Sequence, residues 1–399
     1  MRLLFTALAC LISVSVFGQD LDYYFPEIGG DNWETETPEN LDWCVNEIDT
    51  LISMLDYNNT KAFLVLHNGK IILEEYFDDF TQDSSWVWFS AGKTIMAWNA
   101  LIASQDGLLN LDSPSSNYLG NNWSSCNPSQ ENQIKVYHHL TMTTGLNDDV
   151  ENLYCTDPNC LNFLEIPGSR WAYHEAPYTL LGEIIESATS QNLNFFTNQN
   201  LQQIGMSGIF IPYGDLLIFT SRPRDMARFG VLMQNSGSWN GTQLLNIDLF
   251  NDLVTPSQNL NQSYGYLWWL NGQNQFMLPG SQFEFNNSLF PNAPSDLICA
   301  LGKNGQLLHI SNSENLIVIR LGETPENSTG NAYSFNYNLW ELLNPIINCK
   351  SPTNIEEACT TKSLIKIVDA LGKEANHTTN QILFHIYDDG SVEKKLIVE

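Results

Sequence analysis

The chain has 399 residues, 43% hydrophobic and only 16% charged, which suffices for a full core and argues against long disorder, collagen or a coiled coil. Lys and Arg total 17 against 45 Asp and Glu, and the formal charge of -28 repels phosphate backbones and anionic lipid, so nucleic acid is excluded as a partner. The surplus acid reads as solvated surface, in keeping with work outside the cell or in salty surroundings, where screening weakens self-repulsion.

Residues 1–18 hold Arg2, the apolar run Leu3 to Phe17 and a closing Gly18. That run is too short to cross a hydrocarbon core of ~30 Å, so a secretory signal peptide is expected. Cleavage at the lipoprotein-like Ala7-Leu8-Ala9-Cys10 would strand Leu11 to Phe17 on the mature end, which disfavours lipidation. No later stretch is long and apolar enough for a membrane span. Cys10 apart, seven of the eight cysteines remain, and an odd count leaves one thiol unpaired. Cys155 with Cys160 and Cys349 with Cys359 are the expected local disulfides, and Cys299, inside Leu297-Ile-Cys-Ala-Leu301, is the expected buried free thiol. Neither Cys-x-x-Cys nor His-x-x-x-His spacing occurs, so no metal or cofactor is expected.

Ala62 to Phe77 is two β-rich runs around Asn68-Gly69, the strongest short-range hairpin signal, so an antiparallel sheet starts early. From Ser90 to Ser104, Ile95, Trp98, Leu101 and Ile102 recur at helical spacing, which predicts a helix buried on one face and stopped at Gly107. A second helix is predicted over Tyr178 to Thr189, with Leu181, Ile184, Ile185 and Ala188 inward and Glu183 and Glu186 solvated. Asn304 to Leu321 reads as a second hairpin turning at Ser311 to Asn315. Polar text from Asn344 to Glu357 marks a linker, placed at 346–360 after a main domain of 19–345. Beyond it, Leu364 to Val368, Gln381 to Tyr387 and Lys395 to Val398 predict a small β appendage over 361–399, too small for much stability of its own.

Ser90-Ala-Gly-Lys93 sets a hydroxyl and an amine one turn apart on one face of a helix start, where free backbone N–H groups and the dipole favour an oxyanion. Ser363-Leu-Ile-Lys366 and Ser391-Val-Glu-Lys394 match the spacing, but in strands their residues point to opposite faces.

With its neighbours, this segment resembles the serine β-lactamase and penicillin-binding-protein-like hydrolases over about residues 60–340. Phe89-Ser-Ala-Gly-Lys-Thr-Ile-Met-Ala97 looks like the nucleophile segment, Leu140-Thr-Met-Thr-Thr-Gly-Leu146 like the family's structural helix and turn, and Tyr173-His-Glu175 like the second motif. Arg224-Asp-Met-Ala-Arg-Phe-Gly230 and Tyr264-Gly-Tyr-Leu-Trp-Trp269 are further family-like stretches, and Lys303-Asn304-Gly305 resembles the third motif. The resemblance implies an α/β fold: an antiparallel sheet flanked by helices, a mostly helical subdomain, and the site at their junction. It implies acyl transfer, with Ser90 attacking a carbonyl, Lys93 and Tyr173 moving protons, backbone N–H groups of Ser90 and Gln306 as the oxyanion hole, and Lys303 supplying positive potential. Glu175 stands where the family usually has an amide, and within reach of Lys93 it would hold that amine as an ammonium. A Ser-His-Asp hydrolase is disfavoured, because no Gly-x-Ser-x-Gly occurs and His138, His139 and His174 have no elbow serine beside them.

Ser363 to Lys373 and Leu383 to Glu399 resemble the C-terminal sorting segment read by the type IX secretion system of Gram-negative bacteria, which implies release or display at the outer surface and the secretion machinery as a partner. Two functional classes follow: an exported hydrolase of an ester, small amide or peptide-like amide, and a non-catalytic relative that binds such ligands.

Overall fold

A computed structural model of the protein describes residues 23–326, 332–349, 364–368, 375, 382–387 and 392–396. The expected signal peptide and almost all of the expected linker lie outside these residues. The chain divides into two compact units, Met1–Cys349 and Lys350–Glu399.

In the first unit the helices are α1 (Ile48–Tyr57), α2 (Lys93–Gln105), α3 (Glu175–Thr189), α4 (Leu193–Leu201), α5 (Pro223–Gln234) and α6 (Ala332–Ile347), with shorter ones between α2 and α3. Its main strands are β1 (Thr60–His67), β2 (Lys70–Tyr76), β3 (Trp86–Phe89), β4 (Ile209–Tyr213), β5 (Leu216–Ser221), β6 (Trp269–Leu270), β7 (Ile298–Gly302), β8 (Gln306–Ser311) and β9 (Leu316–Gly322). The large sheet runs in the order β2-β1-β9-β8-β7-β6, antiparallel at every pairing. A smaller antiparallel sheet has the order β3-β5-β4.

Both predicted hairpins form. Asn68 and Gly69 take φ of 48° and 79°, the two left-handed positions that a two-residue hairpin turn needs. Every residue of β9 is buried, and since alternate side chains leave by opposite faces, both faces of the sheet are covered there. Helix α5 packs on β1, β8 and β9. At Gly230 a Cβ would stand 2.8 Å from Ile317 Cγ2, so a side-chain-free position sets how closely helix and sheet approach.

Helix α2 corrects the expectation of one buried face: every residue from Lys93 to Ala103 is buried. It contacts α3, α4 and β5, so no side is left for water. Inside the fold the Asn99 amide donates to Thr197 Oγ1 at 2.7 Å and the Thr94 hydroxyl to the Ala91 carbonyl at 2.8 Å. Helix α3 starts three residues before the predicted Tyr178, with Pro177 in a first turn where its missing N–H costs nothing. Glu183 is solvated as expected, while Glu186 accepts from the Leu193 amide at 2.7 Å and so pins the start of α4.

Helix α6 runs through the expected start of the linker, carrying Pro345 within it. Leu339, Trp340, Leu343 and Ile346 are buried, and this packing prevails over the polar text that suggested a break. The pairing of Cys349 is a second correction: it bridges to Cys44, 305 residues away, with Cα atoms 5.0 Å apart, and not to Cys359. The Cys44 amide donates to the Ile346 carbonyl at 2.9 Å, which holds the two cysteines side by side. Cys155 and Cys160 form the expected short bridge, and Cys299 is buried and free, as is Cys126. Because the Cys44–Cys349 bridge closes so long a loop, replacing both with serine is expected to cost about 2–5 kcal/mol, read as a lower urea midpoint. An unchanged midpoint would show that the bridge adds nothing to α6.

The second unit is a three-stranded antiparallel sheet, β10 (Leu364–Val368), β11 (Ile382–Tyr387) and β12 (Val392–Leu396), in that order. All three predicted strands are present, the last three residues earlier than expected.

Candidate active site

The turn that presents Ser90 is made by a backbone conflict. β3 ends at Phe89, whose φ of 48° with ψ of -132° is a costly conformation for a side-chain-bearing residue, and a 3-10 turn over Ser90–Gly92 leads into α2. Two glycines let other chain segments press against this turn. A Cβ on Gly92 would stand 2.6 Å from Phe219 Cβ, and one on Gly302 would strike the Trp88 carbonyl and lie 3.1 Å from the Ala91 nitrogen. The end of β7 therefore runs hard against the Ser90 turn.

Lys93, the first residue of α2, donates from Nζ to Ser90 Oγ at 3.1 Å and to Glu175 Oε2 at 2.6 Å. The lysine is 2% exposed and its Nζ lies 4.3 Å from the Tyr178 ring centroid and 5.1 Å from that of Tyr173. Burial on its own would lower the Lys93 pKa, but the Glu175 carboxylate, helped by Tyr173 and Tyr178, outweighs it and leaves the pKa raised. The amine is thus held as an ammonium. Burial raises the Tyr173 pKa, while Lys93 and a hydrogen bond with Ser90 pull it back. The Tyr173 ring stacks on Trp269 at 5.9 Å. Ser90, Lys93, Tyr173 and Glu175 thus meet at the wall of one cavity of about 960 Å³.

The third motif is where the structure departs from expectation. Lys303 borders the cavity, exposed, but Asn304, Gly305 and Gln306 do not. The Gln306 amide is buried between β8 and β9, Nε2 donating to the Gly322 carbonyl at 2.6 Å and Oε1 accepting from the Gly322 nitrogen at 2.9 Å. The carbonyls of Asn304 and Gly305 accept from the buried Arg320 guanidinium at 2.7 and 3.1 Å. These three residues brace a turn: one guanidinium nitrogen of Arg320 is spent on it, while the others go to Thr60 Oγ1 and to the carbonyls of Asn58 and Glu323. The strand end Leu301-Gly302-Lys303 takes the place expected for Gln306.

Sequence reading also missed Phe89, the aromatic wall of Trp269 and Tyr178, and the β4–β5 turn from Tyr213 to Leu217, all on the cavity. Trp269 and Tyr178 lie in stretches already singled out; the hairpin carried no chemical signal. The histidines stand apart from the cavity. Burial lowers His138, His139 and His174 to about 4, and the one Ser–His contact among them, Ser115 to His139 at 2.9 Å, turns its other nitrogen to the Pro177 carbonyl rather than to a carboxylate. Among the described residues, no three His, Cys, Asp or Glu side chains gather as a metal would require.

This mixed α/β architecture, an antiparallel sheet with helices, matches the fold of β-lactamase/transpeptidase-like structures. A family model described as Beta-lactamase matches residues 59–215. An uncharacterized protein of Alkalihalophilus pseudofirmus is 24% identical over 340 residues, spanning 74% of this chain and 92% of that protein. Among solved structures, a putative 6-aminohexanoate-dimer hydrolase from Bacillus anthracis superposes with a TM-score of 0.58 at 21% identity, covering 79% of this chain and 88% of its own. A putative beta-lactamase from Bacteroides dorei gives 0.60 at 16% identity, with 77% and 99% covered. A penicillin binding protein from Bacillus halodurans gives 0.53 at 16% identity, with 73% and 99% covered.

Proposed function

We propose that the protein is an exported serine hydrolase that cleaves an ester or amide through an acyl-enzyme on Ser90. The observation that carries this reading is the hydrogen bond from Lys93 Nζ to Ser90 Oγ at the start of a buried helix that opens on a large cavity. Once Lys93 has given up a proton to solvent, Ser90 Oγ bonds to the substrate carbonyl carbon and its proton passes to the neutral lysine amine, with Tyr173 beside it. The alcohol or amine departs with a proton as its bond to that carbon breaks, and water then releases the acid and restores Ser90. Negative charge on the carbonyl oxygen falls between the Ser90 N–H and the end of β7. The hydrolase named for the Bacillus anthracis neighbour is of this reaction class. Export is supported by the signal-like residues 1–18, by two disulfides, which suit an oxidising compartment, and by a separate C-terminal unit resembling a sorting segment.

The Lys93–Glu175 ion pair favours one other reading, a binding protein whose lysine is locked as a cation. A fluorophosphonate probe separates the two. Covalent labelling found on Ser90 by mass spectrometry is expected, and an unlabelled Ser90 in the folded protein would favour the binding protein.

A further inference from the structure

The cavity, about 960 Å³, is larger than a small ester needs, and many of its lining residues away from the chemistry are apolar or aromatic. Phe89, Leu153, Tyr154, Tyr213, Leu216 and Phe290 face it, the β4–β5 turn forming one side. Tyr213 sets its ring edge to face with that of Phe89, 5.9 Å between centroids, directly beside the nucleophile turn. Yet Tyr213 is 57% exposed and Tyr154 45%, so two large rings stand wet at the mouth of a pocket that an apolar group would dry.

The charges in the cavity do not oppose such a group. Lys93 and Glu175 neutralise each other, Lys303 stands exposed, and Asp215 is engaged, its Oδ2 accepting from Asn152 Nδ2 at 2.9 Å. That bond ties the hairpin turn to the loop carrying Tyr154, 63 residues away in sequence. A Cβ on Gly214, beside Asp215, would meet no atom within 4 Å, so packing does little to hold the turn there.

We propose that the substrate carries an extended, uncharged apolar chain beside the scissile carbonyl, that Tyr213 and Tyr154 form the wall it lies on, and that Asn152 and Asp215 are positioning residues that hold this wall in place. The inference rests on the hydrolase reading for its kinetics and on binding alone for an independent check.

Two ester series locate the chain: p-nitrophenyl esters from acetate to octanoate lengthen the acyl side, and acetates from ethyl to octyl lengthen the alcohol side. kcat/KM is expected to rise at least about tenfold across one series. Tyr213→Ala is expected to cut that long-to-short ratio at least fivefold. Asp215→Ala is expected to lower the ratio, and Asp215→Asn, which keeps an acceptor for Asn152, to restore it. Flat dependence in both series, or a ratio unmoved by Tyr213→Ala, overturns the proposal. Should no ester be cleaved, the hydrolase reading fails separately, and Ser90→Ala protein then decides by tryptophan fluorescence. N-methyloctanamide or N-octylacetamide is expected to bind at least tenfold more tightly than N-methylacetamide, and equal binding of all three overturns the apolar-chain wall.

Discussion

Ser90→Ala is expected to lower kcat/KM for p-nitrophenyl acetate at least about 10³-fold while leaving the thermal unfolding of the protein nearly where it was. The two halves of that expectation come from different features. Activity falls because the bond-forming atom is gone, and neither the positioning of Lys93 nor the helix start can replace it. The fold survives because the Ser90 side chain supplies no helix cap and the Lys93 amine that donates to its hydroxyl keeps Glu175 when the serine is lost. Lys93→Ala is expected to be nearly as damaging to activity but to lower stability as well, since it strands a mostly buried Glu175 without its counter-charge. The comparison thus separates loss of chemistry from loss of fold, with kinetics and a melting curve on each variant as the measurement. Retention of more than a few per cent of activity in Ser90→Ala would rule out the acyl-enzyme mechanism.

How legible these features were depended on the distance over which their causes act. The Asn68-Gly69 hairpin was legible because the signal and the structure occupy the same two residues, and Ser90-Ala-Gly-Lys93 because a helix start places residues one turn apart. The approach of Glu175 to Lys93 was expected from the resemblance of Tyr173-His-Glu175 to the second motif and not from local pattern, which placed the helix start at Tyr178 where the structure has it at Glu175. What was not legible depends on remote partners. The burial of α2 on all sides follows from α3, α4 and β5, all far along the chain. The bridge from Cys44 to Cys349 depends on where α6 ends, so a preference for short loops could only point Cys349 toward Cys359. Lys303-Asn304-Gly305 resembled a site motif by composition, but Arg320, fifteen residues beyond Gly305, draws its last two residues into a structural turn and leaves the cavity to Leu301 and Gly302. The β4–β5 wall was silent because apolar side chains at a hairpin turn look alike whether they cover a core or face a ligand.

Glu175 is expected to set the pH at which the enzyme works. Lys93 takes the Ser90 proton only after it has given up its own, and the carboxylate 2.6 Å away opposes that step. With the Lys93 pKa raised in the folded protein, log kcat/KM of the wild type is expected to climb through pH 7–10 without reaching a plateau. Glu175→Gln removes the largest influence opposing burial, leaving only the smaller ones of Tyr173 and Tyr178, so the lysine pKa falls; the variant's profile is expected to shift down by at least one pH unit and to level off within that range. Stability has its own sign. Because folding raises this lysine's pKa, the ion pair contributes fully below the unfolded value of about 10.4 and is lost only as pH rises through the higher folded value, so the wild type keeps it across pH 7–10. Breaking a buried pair by removing one partner costs about 3–5 kcal/mol when the survivor stays charged. The variant has a way to reduce that cost, since the lysine can shed its proton, so its melting temperature is expected to fall most at acid pH and to recover as pH rises. The same carboxylate cannot donate to an acyl-amide oxygen, so the wild type is expected to prefer activated esters and to turn over β-lactams poorly. Glu175→Asn is expected to raise amide or β-lactam turnover relative to esters. Rates for p-nitrophenyl esters and a chromogenic β-lactam, taken at each pH on the wild type and both variants, test all of this together. A pH profile that did not move in Glu175→Gln would show that Lys93 is not the base, and the proton of Ser90 would then have to leave through Tyr173.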